Sequence, residues 1–301
     1  MNFVSFTHCS ASKNFERELT VSGLRIFDDL SSLSNEWLTC VNQSSPKGIA
    51  KGMYNGGGFK KLVKTLDSKS LFIISAGLGL IGSNDNIPSY ECTVTSGKDG
   101  SIGNHLNRNL DIKQWWEFLK KSKYSRGSIF ENIKNYNLVL LSLTSDYLTM
   151  ISDDLKNIDK NFYIFTGNKE LAIGLGFESN LMPYNEVFDG PNGTLRGTNR
   201  DFAQRTHADF IKRLNKYNNF DEAYESVEFD MRTWTPPTKH NNVKKSDEEI
   251  LSLIKTNENK FSKVTDLLRY FRFELKVACE EKRFKSLYKN FKEIKECQKL
   301  L

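Results

Sequence analysis

The sequence of 301 residues contains no uninterrupted apolar run of the roughly 18 to 20 residues that a membrane-spanning helix needs. Its first ten residues also lack the basic start and apolar core of a signal peptide. The five cysteines are odd in number and show no C-x-x-C spacing, so neither a disulfide framework nor a structural zinc site is indicated. We therefore expect a cytoplasmic protein with reduced thiols and no membrane association.

Sequence motifs for common cofactors are missing as well. No glycine-rich stretch ends in the G-K-[ST] of a phosphate-binding loop, and none forms a convincing dinucleotide fingerprint. The four histidines are dispersed, without the spacing of a zinc protease or a zinc deaminase. We expect no cofactor and no obligatory metal, which disfavours enzymes that use nucleoside triphosphates or NAD.

The charge is concentrated near the end of the chain. Against a formal net charge of +6, residues 244–301 contain 15 basic and 10 acidic residues, a net of +5. Just before them, Pro236 and Pro237 lie in a polar stretch, 234–242, that cannot continue a helix and is typical of a linker. The sequence predicts two domains, 1–240 and 244–301, and a polyanionic partner for the second.

Short apolar runs alternate with segments of helical periodicity throughout the first domain. This pattern predicts an α/β fold with a largely parallel central sheet flanked by helices, followed by a small all-α C-terminal domain. The 38% hydrophobic content is sufficient for such a core. The best strand candidates are residues 3–6, 71–75, 138–143 and 162–165, and the clearest helices are 112–121, 146–158 and 201–214.

Ligands of such folds gather in the loops at the carboxyl ends of the strands. In the loops after the first two strands, glycines would let a ligand approach the backbone and Asp85 would supply a carboxylate. The alternatives are a tight turn capped by Asp85 and, for Cys9, burial in the core instead of a role as a nucleophile. The predicted substrate-binding residues in these loops are His8, Cys9, Ser10, Lys13, Ser75, Gly77, Gly79, Asn84 and Tyr90.

Two motifs carry a resemblance to a known family. Residues 74–90 contain S-A-x-x-G-L, a polar turn with an acidic residue, and I-P-x-Y, and the first strand ends in Cys9 followed by Lys13. The combination resembles the YaaA-like peroxide-stress proteins of bacteria and phages. The resemblance implies an α/β fold related to enzymes that process nucleobases and nucleic acids, including domains found with tRNA-guanine transglycosylase relatives.

A second glycine-rich stretch, 189–199, precedes a predicted helix. Its backbone amides and the helix start would form an anion site, with Arg196 and either Arg200 or Arg205 adding positive charge. We include Arg196 among the substrate-binding residues. A purely structural loop is the alternative.

The C-terminal domain shows apolar residues at helical spacing beside a basic stripe. Residues 262–288 resemble the helix-turn-helix modules appended to DNA-acting proteins of phages and bacteria, which implies binding to double-stranded DNA. The alternative is a solvated basic face. The predicted DNA-binding residues are Lys263, Arg269, Arg272, Lys282, Lys285 and Lys289.

A base-binding domain joined to a DNA-binding module suggests a DNA glycosylase that cleaves the N-glycosidic bond of an ordinary or modified base. This reaction needs no metal or redox cofactor, and a carboxylate would orient water or stabilise the developing sugar cation. Asp85 is the first candidate, followed by Asp146 and Asp201. Defence against modified phage DNA is a role consistent with this activity. The competing hypothesis is a non-catalytic DNA-binding regulator or stress protein whose α/β domain senses a small molecule.

Overall fold

A computed structural model describes residues 2–66, 70–238 and 241–297 of the chain. The chain divides into two compact units, Met1–Pro237 and Thr238–Leu301. Within the predicted linker, Lys239 and His240 lie outside the described residues, as do residues 298–301 of the predicted second domain. In the ranges given above, no helix combines the length and apolar character that crossing a bilayer requires.

The first unit is built on a five-stranded sheet of β1 Phe3–His8, β4 Leu71–Ser75, β5 Gly79–Gly82, β8 Leu138–Ser142 and β9 Asn161–Phe165. Their spatial order is β5-β4-β1-β8-β9. Strands β4, β1, β8 and β9 are parallel, whereas β5 runs antiparallel to β4 at one edge. Strands β4, β8 and β9 are almost continuous apolar runs, as expected of strands covered on both faces, whereas β1 alternates apolar residues with Ser5 and Thr7.

Two short ladders lie outside this sheet. One pairs β2 Leu19–Thr20 with β7 Tyr90–Glu91 in parallel, and the other pairs β3 Gly48–Ile49 with β6 Asn86–Ile87 in antiparallel orientation. The helices of the unit are α1 Leu30–Gln43, α2 Ala50–Met53, α3 Gly57–Val63, α4 Ile112–Leu119, α5 Ile129–Asn132, α6 Ser145–Lys156, α7 Lys169–Gly174, α8 Phe202–Tyr217 and α9 Phe220–Thr233.

Helix α8 places one apolar face against the sheet. Phe202, Phe210, Ile211 and Leu214 are all buried, and their spacing places them on one face of the helix. At its first turn, Gln204 donates hydrogen bonds to the Thr7 hydroxyl (2.9 Å) and the His8 carbonyl (3.0 Å). The start of α8 is thereby fixed to the carboxyl end of β1.

The described residues of the second unit form three α-helices, a short 3-10 helix and one small ladder. Helices α10 Asp247–Asn257, α11 Val264–Phe273 and α12 Glu281–Cys297 surround a core that includes Ile254, Leu267, Phe271 and Phe284. Strands β10 Val243–Lys244 and β11 Val277–Ala278 pair in parallel. The expectation of an all-α domain is therefore not confirmed, because Val277 is buried and extended where the chain turns from α11 to α12.

Candidate functional site at the carboxyl edge of the sheet

The chain direction places a crevice at the carboxyl end of β1. From β1 the chain adds β4 and β5 on one side and, later, β8 and β9 on the other. The connection from β1 thus leads to one side of the sheet and the connection from β8 leads to the other. Ligands of open α/β sheets bind where the connections diverge in this way, outside the carboxyl ends of the strands. The candidate site is therefore sought among the side chains that follow β1, β4, β8 and β9.

His8 and Cys9 end β1 and contact the neighbouring strand and helix. His8 Nδ1 donates to the Ser142 carbonyl oxygen (3.1 Å), because a carbonyl can only accept. Burial lowers the pKa of His8 to about 4, so its ring is neutral at pH 7. The Cys9 sulfur lies 3.1 Å from the Tyr147 hydroxyl in the first turn of α6.

A chain of buried hydroxyls follows β4. Ser75 Oγ accepts hydrogen bonds from the amides of Gly77 (3.2 Å) and Leu78 (3.0 Å) and lies 2.5 Å from the Tyr90 hydroxyl. With both of its lone pairs occupied, Ser75 donates its proton to Tyr90. Tyr90 in turn lies 2.8 Å from the Tyr54 hydroxyl. Burial raises the pKa of both tyrosines well above the usual value, so both stay protonated.

Lys13 lies beside these tyrosines. Its ammonium nitrogen is 4.2 Å from the centroid of the Tyr90 ring and 5.7 Å from that of Tyr54. Within the residues that the structure describes, no carboxylate lies within 4.0 Å of this nitrogen. Burial lowers the pKa of Lys13, although the nearby Cys9 favours the charged form. The predicted residues Cys9, Lys13, Ser75 and Tyr90 are thus brought together.

A cavity of about 380 Å³ lies at the ends of β8 and β9, and its lining does not include Cys9, Lys13, Ser75 or Tyr90. This volume lies in the range of small-molecule sites. Leu143, Phe202 and Ala203 provide an apolar wall. The polar lining includes a hydroxyl, an amine, a carboxylate and an amide, contributed by Thr144, Lys169, Glu186 and Asn199.

Asp85 lies at the opposite edge of the sheet, so its predicted position is wrong. Strand β5 runs antiparallel to β4, and Gly82 at its end pairs with Phe72 at the start of β4. Asp85 caps the turn that follows, accepting from the Gly82 amide (2.7 Å) and pairing with Arg126. Asn84 belongs to the same turn. Neither residue is near Cys9 and Lys13, and we do not retain Asp85 as a catalytic candidate.

The replacement Asp85→Asn is therefore expected to leave activity within a factor of about two of wild type, because Asn keeps the turn-capping acceptor. Its cost is about 1 kcal/mol or less of folding free energy, since the Arg126 side chain is half exposed and screened by solvent. A turnover assay measures the change in activity, and urea unfolding measures the change in folding free energy. A hundredfold loss of turnover would restore Asp85 as a catalytic residue.

The glycines after β4 serve packing rather than ligand approach. A Cβ on Gly77 would lie 2.9 Å from the Tyr90 ring, and Gly79 has a φ of +86° and faces Ser125. The absence of a side chain at Gly77 therefore leaves room for the Tyr90 ring, and Gly79 adopts the left-handed conformation that the turn from β4 into β5 requires. The indoles of Trp37 and Trp115 fix this loop through hydrogen bonds to the carbonyls of Gly77 and Ala76.

The other two predicted catalytic carboxylates are engaged within the protein. Asp146 accepts a hydrogen bond of 2.5 Å from the Thr95 hydroxyl. Asp201 accepts from the Thr198 amide (2.7 Å) and from Arg205 Nε (2.9 Å). Asp201 thus caps the helical segment that leads into α8, and its catalytic role stays a prediction without support from these contacts.

The glycine-rich stretch before α8 is a packed loop, as the structural alternative predicts. A Cβ on Gly190 or Gly193 would lie 2.0 and 2.1 Å from backbone oxygens. Arg205 is fully buried and pairs with Asp189 and Asp201, so its charge is not available to a ligand. Arg196 is exposed, and its carbonyl accepts from Lys61. The predicted anion site lacks the contribution of Arg205.

The residues predicted from the sequence do not include Tyr54, Tyr147 and Cys92 near Lys13. They also omit the polar side chains of the cavity, Thr144, Lys169, Glu186 and Asn199. Cys92 is buried and donates to the Ala76 carbonyl (3.4 Å), and burial raises its pKa. A tyrosine and a cysteine give no local sequence signal, so only the fold reveals these contacts. Among the described side chains, no group of three or more His, Cys, Asp and Glu is placed to hold a metal ion.

In the second unit, most of the predicted DNA-binding side chains are exposed. Lys263, Arg269 and Lys282 face solvent, and Lys285 and Lys289 form exposed ion pairs with residues of the same helix. Arg272 instead donates twice to the Cys279 carbonyl (3.2 and 2.8 Å). Its guanidinium therefore ties the end of α11 to the residue that follows β11.

No family model matches this chain, and no curated protein shows significant similarity to it. The resemblance to YaaA-like proteins thus stays a prediction based on the residues that carry it. Functional inference depends on the geometry of the site.

Proposed function

We propose that this protein is a nucleic-acid-modifying enzyme that cleaves the N-glycosidic bond of a base in DNA. The observation that carries the proposal is the cavity at the ends of β8 and β9, of which β8 is a neighbour of β1 in the sheet. Neighbouring strands lie about 4.8 Å apart. A nucleoside whose base occupies the cavity could therefore present its sugar to the adjacent strand end.

The chemistry of the cavity suits a nucleobase. A base is planar and apolar on its faces, while its edge carries hydrogen-bond donors and acceptors. Phe202 offers apolar contact to a face of the base, and Thr144, Glu186 and Asn199 offer acceptors and donors to its edge. One amine, that of Lys169, lies among several acidic groups, so the lining favours a neutral ring over a free phosphate.

The second unit supports the DNA-binding part of the proposal. Its exposed basic side chains can contact phosphates and release counterions, a mode of binding that is independent of base sequence. The ion pairs of Lys285 and Lys289 are exposed and weak, so phosphates can compete with the glutamates. Arg272 is excluded from this role.

Filling the cavity tests the proposal. Gly167 lines it, and a Cβ there makes ordinary contact with Phe202 at 3.7 Å, so Gly167→Val should fold and occupy part of the space. We expect base release from a cleavable duplex to fall at least about tenfold. Gly174→Val is the matched control, because a Cβ at Gly174 meets nothing within 4 Å.

Free base measured by mass spectrometry gives the rates. Equal rates in wild type and Gly167→Val would remove the cavity from the reaction. Nucleoside binding without base release from any duplex would favour the sensing role of a non-catalytic regulator.

A further inference from the structure

Lys169 and Glu186 present opposite charges to the same cavity without forming an ion pair. Both side chains line the cavity of about 380 Å³, and the charge of Glu186 acts on the Lys169 amine. Within the ranges that the structure describes, no carboxylate lies within 4.0 Å of the Lys169 nitrogen, and no cationic side chain lies that close to the Glu186 carboxylate. The separation leaves space for a ligand that contacts both groups.

Both residues belong to turns that side-chain hydrogen bonds hold in place. Lys169 begins α7 directly after Asn168, which accepts from an amide of that helix (3.1 Å) and donates to the Ser145 hydroxyl (3.1 Å). Glu186 follows Asn185, whose side chain accepts from the amide two residues on (2.9 Å). The backbones that carry the amine and the carboxylate are thus fixed before a ligand enters, which favours selective binding.

An amine beside a carboxylate matches one kind of base edge. An ammonium can only donate hydrogen bonds, and an ionised carboxylate can only accept them. A carbonyl next to a ring N–H, as in uracil, thymine, hypoxanthine and guanine, offers one acceptor and one donor to such a pair. In cytosine and adenine the corresponding positions carry an amino group and a ring nitrogen without a proton, so the same arrangement would lose both contacts.

We propose that Lys169 and Glu186 select a base that carries a carbonyl beside a ring N–H, with the carbonyl bonded to Lys169 and the N–H bonded to Glu186. This inference rests on the proposed function and names the class of base that is removed. Burial lowers the pKa of Lys169, whereas the charges of Glu186 and Glu170 favour its ammonium form. The neighbouring carboxylates thus support the charged state that the contact with the carbonyl requires.

The same contact assists the reaction. When the bond between C1′ and the base breaks, its electron pair stays with the base, and conjugation places part of the negative charge on the carbonyl oxygen. The Lys169 ammonium stabilises that charge as it develops. Water adds its oxygen to C1′ and gives up one proton, and the departed base takes up one proton. The products are a free base and an abasic site.

Matched pairs of duplexes test the selection. They carry uracil or cytosine, and hypoxanthine or adenine, opposite a position without a base, so that pairing strength does not differ between them. Mass spectrometry measures the base that the full chain releases. We expect release of uracil or hypoxanthine at least about a hundredfold faster than release of the amino counterpart, because a site built for hydrogen bonds rejects a base that leaves its polar groups unpaired. Equilibrium binding of the four deoxynucleosides should show the same preference.

Two variants assign the selection to these side chains. Lys169→Met should lower release of the preferred base by about a hundredfold. Glu186→Gln should lower the preference over the amino counterpart at least about tenfold, because an amide can donate as well as accept. Lys60→Met and Glu178→Gln are the controls, since both residues are exposed and lie outside the lining of the cavity. Both controls should keep the wild-type rate and preference.

The outcomes separate the two proposals. Release of cytosine or adenine as fast as the matched base, or a preference unchanged in both variants, would leave the glycosylase standing and refute the selection. Selective binding of deoxynucleosides that Lys169→Met abolishes, without base release from any duplex, would support the selection and refute the glycosylase. Neither selective binding nor release from the four duplexes would overturn the inference.

Discussion

Replacing Arg205 with methionine is expected to lower the free energy of unfolding of the first unit by about 3–5 kcal/mol, because it leaves two carboxylates without their buried partner. Arg205 is fully buried. Its guanidinium donates to Asp189 (2.6 Å) and Asp201 (2.9 Å) and to the carbonyls of Leu195 (2.8 Å) and Thr198 (3.0 Å). It thus holds the whole loop before α8.

Urea unfolding followed by tryptophan fluorescence measures this loss in the first unit alone, because Trp37, Trp115, Trp116 and Trp234 all lie within it. Arg196→Met is the matched control, since Arg196 belongs to the same loop and is exposed. We expect the control to change stability by less than about 0.5 kcal/mol. A loss below about 1 kcal/mol in Arg205→Met would contradict the structural role assigned here.

Acid should destabilise the first unit steeply, because two histidines are buried in neutral form. Burial lowers the pKa of His8 from 6.5 to about 4 and that of His207 from 6.5 to about 3. Between pH 6.5 and 4 the unfolded chain therefore binds up to two more protons than the folded chain. The contribution of the two histidines to the free energy of unfolding is fully present above pH 6.5. As the pH falls from there towards 4, it is lost at up to about 2.7 kcal/mol per pH unit.

A single variant isolates the contribution of His207. In the folded protein its ring stacks on Phe165 and its Nε2 lies 3.1 Å from the Ser5 hydroxyl. His207→Gln is expected to lower the free energy of unfolding at every pH. The dependence of that free energy on pH should also become weaker, by about 1.4 kcal/mol per pH unit. Urea midpoints at pH 7.5, 6.0, 5.5 and about 5 provide the slopes. An unchanged slope would show that His207 is not buried as a neutral ring.

The sheet was the most predictable part of the fold. Residues 71–75 form β4 as expected, and the other three parallel strands were each predicted to within two residues at their ends. Strands β4, β8 and β9 are apolar over nearly their whole length, so hydrophobic runs identify them, whereas the polar end of β1, Thr7 and His8, lies outside the predicted range. Strand β5 was missed because Gly79 and Gly82 flank only two apolar residues. Without β5, the sequence predicts Asp85 at the carboxyl edge of the sheet, whereas the antiparallel strand carries it to the opposite edge.

The candidate site was predictable only in part, because its contacts join distant parts of the chain. Cys9 and Lys13 follow β1 closely, so the predicted end of that strand is enough to propose them as residues of the site. The contact between Cys9 and Tyr147 spans 138 residues, and that between Tyr54 and Tyr90 spans 36. The sequence offers Arg205, as an alternative to Arg200, as a cation for an anionic ligand, because charged side chains are rarely buried. Only the fold reveals that Arg205 pairs with Asp189 and Asp201.

The most direct test of the account is the joint measurement of free base and abasic sites when the full chain acts on duplexes with ordinary and modified bases. Mass spectrometry quantifies the base, and alkaline cleavage quantifies the abasic sites. We predict that at least one duplex yields both products in equal amounts, and that Gly167→Val lowers the yield of both at least about tenfold. Saturable binding of the same duplexes or their nucleosides, with neither product formed, would contradict the assignment of this protein as a glycosylase.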